Sequence, residues 1–454
     1  MHSGKSLART LLGAVLLLAL GCASATKRLE QGAELEQQGR YAEAAARYIQ
    51  ALRKDPGMPE ARQRLAYVGA QAIAQYSADA ARFRTLGSFQ QAADLYRASD
   101  ALVQEAASVG VPLALPPGYA ELRRTSFDET IAQLLHQGRS AEASAAWAEA
   151  LQDYEQVAVY EPKPRQEKDA RDGRLRASVL WGEADLAAGH YRAAFEHAEA
   201  ALVLCTGGAG LRDPRGGDTS GRAEPTWGQR AQSVRDEALE LGTVHAAMTP
   251  MRTGSSCARQ LPEGFLEALN DELEAEHWTH PPLFVAVLDP LVVRRELRRQ
   301  GNAHTAPSLR DAMRLGRDLG ADFVVSLEID AFAATDADVV AERRTARTRA
   351  GADTTYTVLQ GTRNMLMTAT LAFVDVEHGR EGQRRSVDLT ESGRFTRARY
   401  DGDTRQLRIP ESDRRLFDLH HEHEQDQEIQ DRLIEKAALQ LAGQVYNDLV
   451  QSVP

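Results

Sequence analysis

With 454 residues, 43% of them hydrophobic and 26% charged, the chain can build two or three domains with real cores. A net charge of −11 argues against a nucleic-acid binder, which needs a basic face to displace counterions. No apolar run after Cys22 reaches the length of a transmembrane helix.

The chain begins MHSGKSLARTLLGAVLLLALGC. Lys5 and Arg9 form a positive n-region, Leu11 to Leu20 an apolar run too short to span a bilayer, and Gly21-Cys22 a small-residue close. A cysteine directly after a small residue at this point resembles the signal of bacterial lipoproteins, although Ala19 stands where such signals usually carry Leu. The resemblance implies a signal peptide over 1–21, with Cys22 acylated and becoming the mature N-terminus. Each buried acyl methylene contributes roughly 0.8 kcal/mol, so several chains hold a protein on a membrane. Ala23, rather than Asp, follows the cysteine and resembles the outer-membrane sorting default, which implies an anchor facing the periplasm. An ordinary signal peptide cut near Ala23-Ser24-Ala25, or an uncleaved anchor, is the alternative. Lipidation would leave Cys205 and Cys257 in an oxidising compartment. They are then either a disulfide, restricting the unfolded chain by about 4 kcal/mol, or two free thiols. Neither has a ligand at metal spacing, so no zinc site is expected.

Residues 22–205 read as helices. Gly39-Arg40-Tyr41-Ala42-Glu43-Ala44, then Tyr48, Ala51 and Pro56, resembles the second half of a tetratricopeptide repeat, with Gly32 at the small position of the preceding helix. Small residues let paired helices approach, tyrosines fill the gaps, and proline stops the second helix. Gly87, Phe89, Ala92 and Tyr96 repeat the pattern, with Ser99 in place of the small alanine. Trp147, Ala150, Tyr154 and Pro162 give a third match in which Ala145 takes the glycine position. Gly182, Gly189, Tyr191, Ala194, Ala198 and Ala201 give a fourth. The repeats lie farther apart than the ~34 residues of a tight array, so lengthened helices such as Met58–Phe83 are expected, in an irregular solenoid. A groove in such an array binds a protein segment, and the alternative is a bundle that only spaces the next domain from the membrane.

Residues 206–240 read as a flexible Gly-rich loop (Thr206–Gly210, Gly216–Gly221) followed by a helix from Thr226 to Leu241. The loop lacks a P-loop ending. Residues 241–454 then alternate strands and helices. Strands are expected at 243–248, 283–288, 321–329 and 365–376, the last pairing with 384–390. Helices are expected after Leu261-Pro262-Glu263-Gly264, over 291–299 and 308–319, and through Ile429, Leu433, Leu441 and Leu449.

The opening strand, the Leu-Pro-Glu-Gly-Phe-Leu helix start, the Leu-Gly-Ala-Asp-Phe-Val-Val join at 319–325, Phe373–Val376 with Gly379, and the closing helix are together similar to a family of envelope lipoprotein domains. That family includes the curli secretion channel lipoprotein and the lipoprotein activator of penicillin-binding proteins. The resemblance implies an α/β sandwich with a mixed sheet that acts by binding proteins or copies of itself. Ala333–Asp353 reads as a polar insert, and no run suits a membrane-barrel strand pair.

His420, His421 and His423 with Glu422 are the one metal-like cluster, better explained as a solvated connection into the last helix. Asp322 and Glu328 share a strand face by period two, but no nucleophile can be placed beside them, and Asp289 and Asp375 read as structural. The expected fold is a helical tetratricopeptide-like solenoid followed by an α/β sandwich. The expected function is that of a lipid-anchored, non-catalytic scaffold or activator for an envelope protein, with no cofactor, metal or nucleic acid. The alternative is a self-assembling part of an outer-membrane export apparatus, a homo-oligomer.

Overall fold

The computed structural model describes residues 25–206, 225–254, 257–301, 307–382 and 384–453. The signal segment with Cys22, and most of the Gly-rich stretch from Thr206, lie outside the described residues. Two compact units form: one runs up to Ala184 and takes in Glu196–Val234, the other joins Asp185–Phe195 to the chain from Arg235 onward.

The helices in chain order are α1 (residues 25–37), α2 (Tyr41–Lys54), α3 (Pro59–Thr85), α4 (Phe89–Ser108), α5 (Tyr119–Ala143), α6 (Trp147–Gln156), α7 (Pro164–Ala188), α8 (Tyr191–Thr206) and α9 (Trp227–Gly242). The repeat pattern is structural. The turns before α2, α4, α6 and α8 each place one residue in the left-handed region: Gly39 (φ 72°), Gly87 (75°), Ala145 (57°) and Gly189 (80°). Behind each turn the matching positions are buried: Ala44, Tyr48 and Ala51; Ala92, Tyr96 and Ser99; Ala150, Tyr154 and Val157; Ala194, Ala198 and Ala201. Ser99 satisfies its buried hydroxyl by donating to the Leu95 carbonyl at 3.1 Å. The wide repeat spacing comes from long helices, with α3 running 27 residues and α5 25.

Tyrosine rings sit where a partner helix has no Cβ. A Cβ on Gly32 would lie 2.5 Å from Tyr48 Cε1. Tyr154 lies against both α5 and α7, where a Cβ on Gly138 would come within 2.7 Å of its Cε1 and one on Gly173 within 2.6 Å. The hydroxyls then tie neighbouring helices. Tyr48 donates to Glu36 at 2.6 Å, Tyr160 to Asp94 at 3.0 Å, and Tyr119 to the Tyr96 carbonyl and to Asp100, both at 2.9 Å. Burial, reinforced by Glu36, pushes the Tyr48 phenol up to about 12.

The second unit is built on a mixed eight-stranded sheet. Its strands are β1 (Val244–Met248), β2 (Arg252–Thr253), β3 (Val285–Val287), β4 (Phe323–Thr348), β5 (Asp353–Asp375), β6 (Arg380–Glu381), β7 (Arg385–Arg399) and β8 (Leu407–Arg408). β1 pairs in parallel with β3 and β4, while β4, β5 and β7 form an antiparallel run. Helices α10 (Phe265–Glu272), α11 (Pro290–Arg299), α12 (Leu309–Leu319), α13 (Glu411–Arg414) and α14 (Leu419–Gln451) complete it. One core joins α10 and α14 to one side of the sheet through Phe265, Leu269, Met367, Leu389, Leu433 and Leu441. A smaller core holds α11 and α12 through Val293, Leu297, Leu315, Val324 and Val374. Asp289 caps α11 by accepting from Leu291 N at 2.8 Å, and Gly320 ends α12 at φ 68°. An α/β domain follows the helical one, as the sequence implies.

Ala333–Asp353 is polar, as the sequence reads, and it is part of the sheet: β4, 26 residues long, runs through it to Thr348 and β5 returns for 23, a hairpin on the order of 80 Å long. Alternation conceals it, because the register slips between Ile329 and Ala331 and again between Ala337 and Val340. The long strand pair is likewise one that the sequence did not reveal. Its open face carries Thr362, Asn364, Thr368 and Thr370 around one exposed Leu366.

After β7 the chain crosses the tip of the hairpin as a strap. Leu407, Ile409, Leu416 and Phe417 cover Tyr356 and Val358. The buried Asp413 fixes it, accepting from the Tyr356 hydroxyl and from Arg344 Nη1 at 2.8 Å. The Tyr356 hydroxyl and then the Arg344 guanidinium hold the Asp413 carboxyl below the usual range.

Two outcomes follow from this packing. Ala145 occupies a left-handed position that L side chains disfavour, so Ala145→Gly should stabilise by up to about 1 kcal/mol. Gly173→Ala drives a methyl into Tyr154 and should destabilise by about 1–3 kcal/mol. Urea unfolding of both variants checks the signs, and a neutral Gly173→Ala would contradict the packing. For the strap, a depressed carboxyl contributes stability above its unfolded pKa of about 3.9, lost as pH falls through the lower folded value. Amide protection over residues 400–418, taken relative to the intrinsic exchange rate at each pH, should therefore hold from neutral pH down to about 4 and fall below it. Asp413→Asn should speed exchange already at neutral pH; unchanged protection in the variant would remove Asp413 from this role.

Candidate protein-interaction site

A cleft of about 480 Å³ opens in the helical unit where α6, the short helix Val157–Tyr160, α7 and the end of α8 meet. The local fold explains its shape. Glu161 takes a left-handed conformation (φ 52°), and the chain re-enters a helix at Pro164, a residue suited to a first helical turn. The prolines Pro162 and Pro164 thus line one end, while Tyr154, Val157, Ala158 and Leu204 supply apolar wall and floor. Lys168, Arg171 and Arg174 recur at helical spacing along the α7 side. Two carboxylates share the lining, Glu155 and Glu167, and Arg174 holds Glu155 at 3.0 Å. The positive groups outnumber the negative ones locally in a chain whose net charge is −11.

The residues that the sequence singles out for chemistry fall elsewhere and do not converge. Asp322 accepts from the His245 backbone N–H at 2.8 Å and lies 3.6 Å from the His245 ring, joining β1 to the start of β4. Glu328 lines a separate cleft of about 100 Å³ with Arg252, Ser308, Thr370 and Arg384. Asp375 accepts from the His378 backbone N–H at 2.9 Å and pairs with its ring at 2.8 Å. Burial raises its carboxyl, and the His378 contacts outweigh burial and hold it below the usual range. His420, His421 and His423 belong to the first turns of α14 rather than to a connection, and His420 and His421 lie 3.4 and 3.6 Å from Glu424. No group of three metal-type ligands occurs among the described residues.

Cys205 and Cys257 are free thiols. Each packs as an apolar residue in its own unit, Cys205 beside Leu175, Val179 and Trp227, and Cys257 in the main sheet core. Burial pushes both thiols up, which leaves them poor nucleophiles.

A charged network that the sequence did not suggest pins the outer hairpin to α14. Arg363 reaches Asp336 at 2.9 Å and Asp426 at 2.5 Å, while Arg397 reaches Asp336 at 2.9 Å and Glu422 at 2.7 Å. Both guanidinium groups also lie over the Phe395 ring, at 5.5 and 5.0 Å from its centroid. The Arg363 hydrogen bond, reinforced by both guanidinium charges, holds the Asp336 carboxyl below its usual range. These groups lie far apart in sequence, and strand register together with the docking of α14 brings them together. The cleft was equally hidden: the repeat motif marks Tyr154 and Pro162, but no local pattern joins them to the lining residues of α7 and α8.

Among the described residues, no helix is long and apolar enough to cross a membrane. No protein-family model matches the chain, and no curated protein matches it. Among solved structures, lipoprotein GNA1162 from Neisseria meningitidis is 13% identical over 33% of this chain and 83% of its own, with a TM-score of 0.21. The hypothetical protein CT253 from Chlamydia trachomatis is 14% identical over 43% of this chain and 96% of its own, with a TM-score of 0.21. Likeness at that level carries no argument about this chain's activity or partners.

Proposed function

We propose that this chain is a lipid-anchored bacterial envelope protein, held through Cys22 on the outer membrane, whose helical hairpins bind a segment of a partner protein. It acts as a non-catalytic scaffold or activator. The observation that carries the reading is the apolar-floored cleft among α6, α7 and α8 in an array of helical hairpins, an architecture that presents binding surfaces rather than reacting groups. Support comes also from the carboxylates Asp289, Asp322, Asp375 and Asp413, which are engaged in caps, turns and strand joints. The lipid anchor rests on the sequence of the first 22 residues.

One observation favours a second reading, self-assembly into an export component. Among the described residues, β7 pairs only with β5, and α14 covers part of its outer edge through Gln425 on Thr396, Arg432 on Ser392 and Lys436 on Thr390, so another copy could extend only the remainder of that edge.

Crosslinking the tagged, full-length protein in the cells that make it separates the two. The scaffold reading expects one heterologous envelope protein to co-purify from the membrane fraction, and Cys22→Ala to abolish both labelling by a fatty-acid analogue and membrane retention. Recovery of self-crosslinked multimers alone would replace it with the second reading.

A further inference from the structure

We propose that the outward face of α11 and α12 docks on the anionic headgroups of a bilayer, turning this side of the sheet unit toward the membrane; the inference rests on the lipid-anchored reading above. The two helices carry seven arginines and three carboxylates, Glu296, Asp311 and Asp318. Three of the arginines are occupied. Arg294 is held by Glu274, Arg299 by Glu296 at 2.6 Å and Asp318 at 2.8 Å, and Arg314 by Asp311 at 3.1 Å. Those contacts engage all three carboxylates. Arg295, Arg298, Arg310 and Arg317 remain, each exposed and, among the described residues, without a carboxylate in ion-pair contact. The connection from Gln300 to Ser308 has no Asp or Glu in its sequence. The turn that flanks α12, where a Cβ on Gly379 would lie 2.9 Å from Met313 Cε, adds Glu377 and Arg380 and so leaves the balance unchanged.

The fold makes these four cations one surface. Val293 and Leu297 of α11 share a core with Ala312 and Leu315 of α12, which fixes the inward side of each helix. On the opposite side of α11, Arg295 and Arg298 follow Leu291 at i+4 and i+7, and Arg310, Arg314 and Arg317 repeat that spacing on α12. α11 leaves the end of β3 and α12 enters the start of β4, and both strands run parallel to β1, so the two helices point the same way. Asp318 ties them side by side, accepting from Arg299 at 2.8 Å and from Gln300 Nε2 at 3.1 Å. Each helix also bears an exposed leucine at its N-terminal end, Leu291 at 67% and Leu309 at 39%.

This combination matches a bilayer. A guanidinium group binds phosphate oxygens in pairs, and four of them spread over two helices meet a plane of phosphates rather than a single one. Basic helices with apolar side chains at the same surface lie among headgroups, where leucines reach the acyl boundary. An acidic protein would match the arginines alone. Screening over about 10 Å confines the attraction to the facing side, so the chain's net charge of −11 does not oppose it. Acyl chains on Cys22 would keep the face at high local concentration of headgroups, so weak individual contacts suffice.

The test uses full-length protein reconstituted into vesicles, with a fluorescent amino acid in place of Leu291 and nitroxide-bearing lipids as quenchers. One set of vesicles is phosphatidylcholine, and the other includes about 30% phosphatidylglycerol. Quenching at position 291 should be at least about threefold stronger in the anionic vesicles and should fall as salt is raised. Arg295→Glu with Arg298→Glu should remove most of that difference, and adding Arg310→Glu and Arg317→Glu should remove the rest. The same label at Leu439 of α14, which packs on the other core, should be quenched equally in both vesicles, and urea unfolding midpoints confirm that the variants fold. Equal quenching at 291 in both vesicles, indifference to the reversals, or an equal rise at 439 would overturn the proposal. So would soluble polyglutamate that shifts the label at 291 while the two vesicles do not differ, which would assign the face to an acidic protein. If Cys22 takes up a fatty-acid analogue in cells and quenching is equal in both vesicles, the docking face falls and the anchor stands. If Cys22 takes up none and the anionic vesicles still quench more, the anchor falls and the docking face stands.

Discussion

Packing of tyrosine rings against helices that lack a Cβ is the contact on which the helical unit depends. Tyr48 lies on Gly32, and Tyr154 lies against both Gly138 and Gly173, at distances that leave no room for even a methyl group. Such close approach adds dispersion contact to each ring, and it sets how closely neighbouring helices pack. The left-handed turns at Gly39, Gly87, Ala145 and Gly189 feed each second helix back at the angle that this packing requires. Tyr154 also lines the proposed peptide cleft, so the contact that fixes the spacing of α5 and α7 forms part of the interaction surface. Helix packing and recognition thus share one side chain.

The sheet unit is organised by a different balance. Near β1 and the base of β4, both sides of the sheet are covered by apolar side chains from α10, α14, α11 and α12. Farther along the hairpin, apolar cover gives way to ions: Arg363 and Arg397 against Asp336, Glu422 and Asp426, and then Asp413 against Arg344 and Tyr356. Half-buried ionic networks of this kind fix geometry more than they add stability, since desolvation offsets most of the attraction. The long strands are therefore held in register by specific pairs, with apolar patches at Phe395 and at Tyr356 and Val358 between them.

What could be read in the sequence follows from which physics is local. The repeat offsets behind Gly39, Gly87, Ala145 and Gly189 are local, and they located the turns, the buried alanines and the tyrosines, including the substitution of Ala145 for glycine. The apolar stripe Ile429–Leu449 marked the packed part of α14 equally well, but not its charged beginning at Leu419, which is held by Arg363 and Arg397 from distant strands. The outer hairpin escaped notice because two register slips break its alternation and because its side chains are polar on the open face. The cleft escaped because its members come from α6, α7 and α8, and no local pattern joins residues of different helices.

The account claims that the helical unit, through this cleft, is where another protein is held. Placing a photo-crosslinking amino acid at Ala158, with a matched control at the exposed Leu439 of α14, addresses that claim directly in cells. A discrete adduct with one heterologous envelope protein from position 158, and none from 439, is the expected result. Adducts of equal strength from both positions, or adducts with the protein's own copies alone, would contradict it.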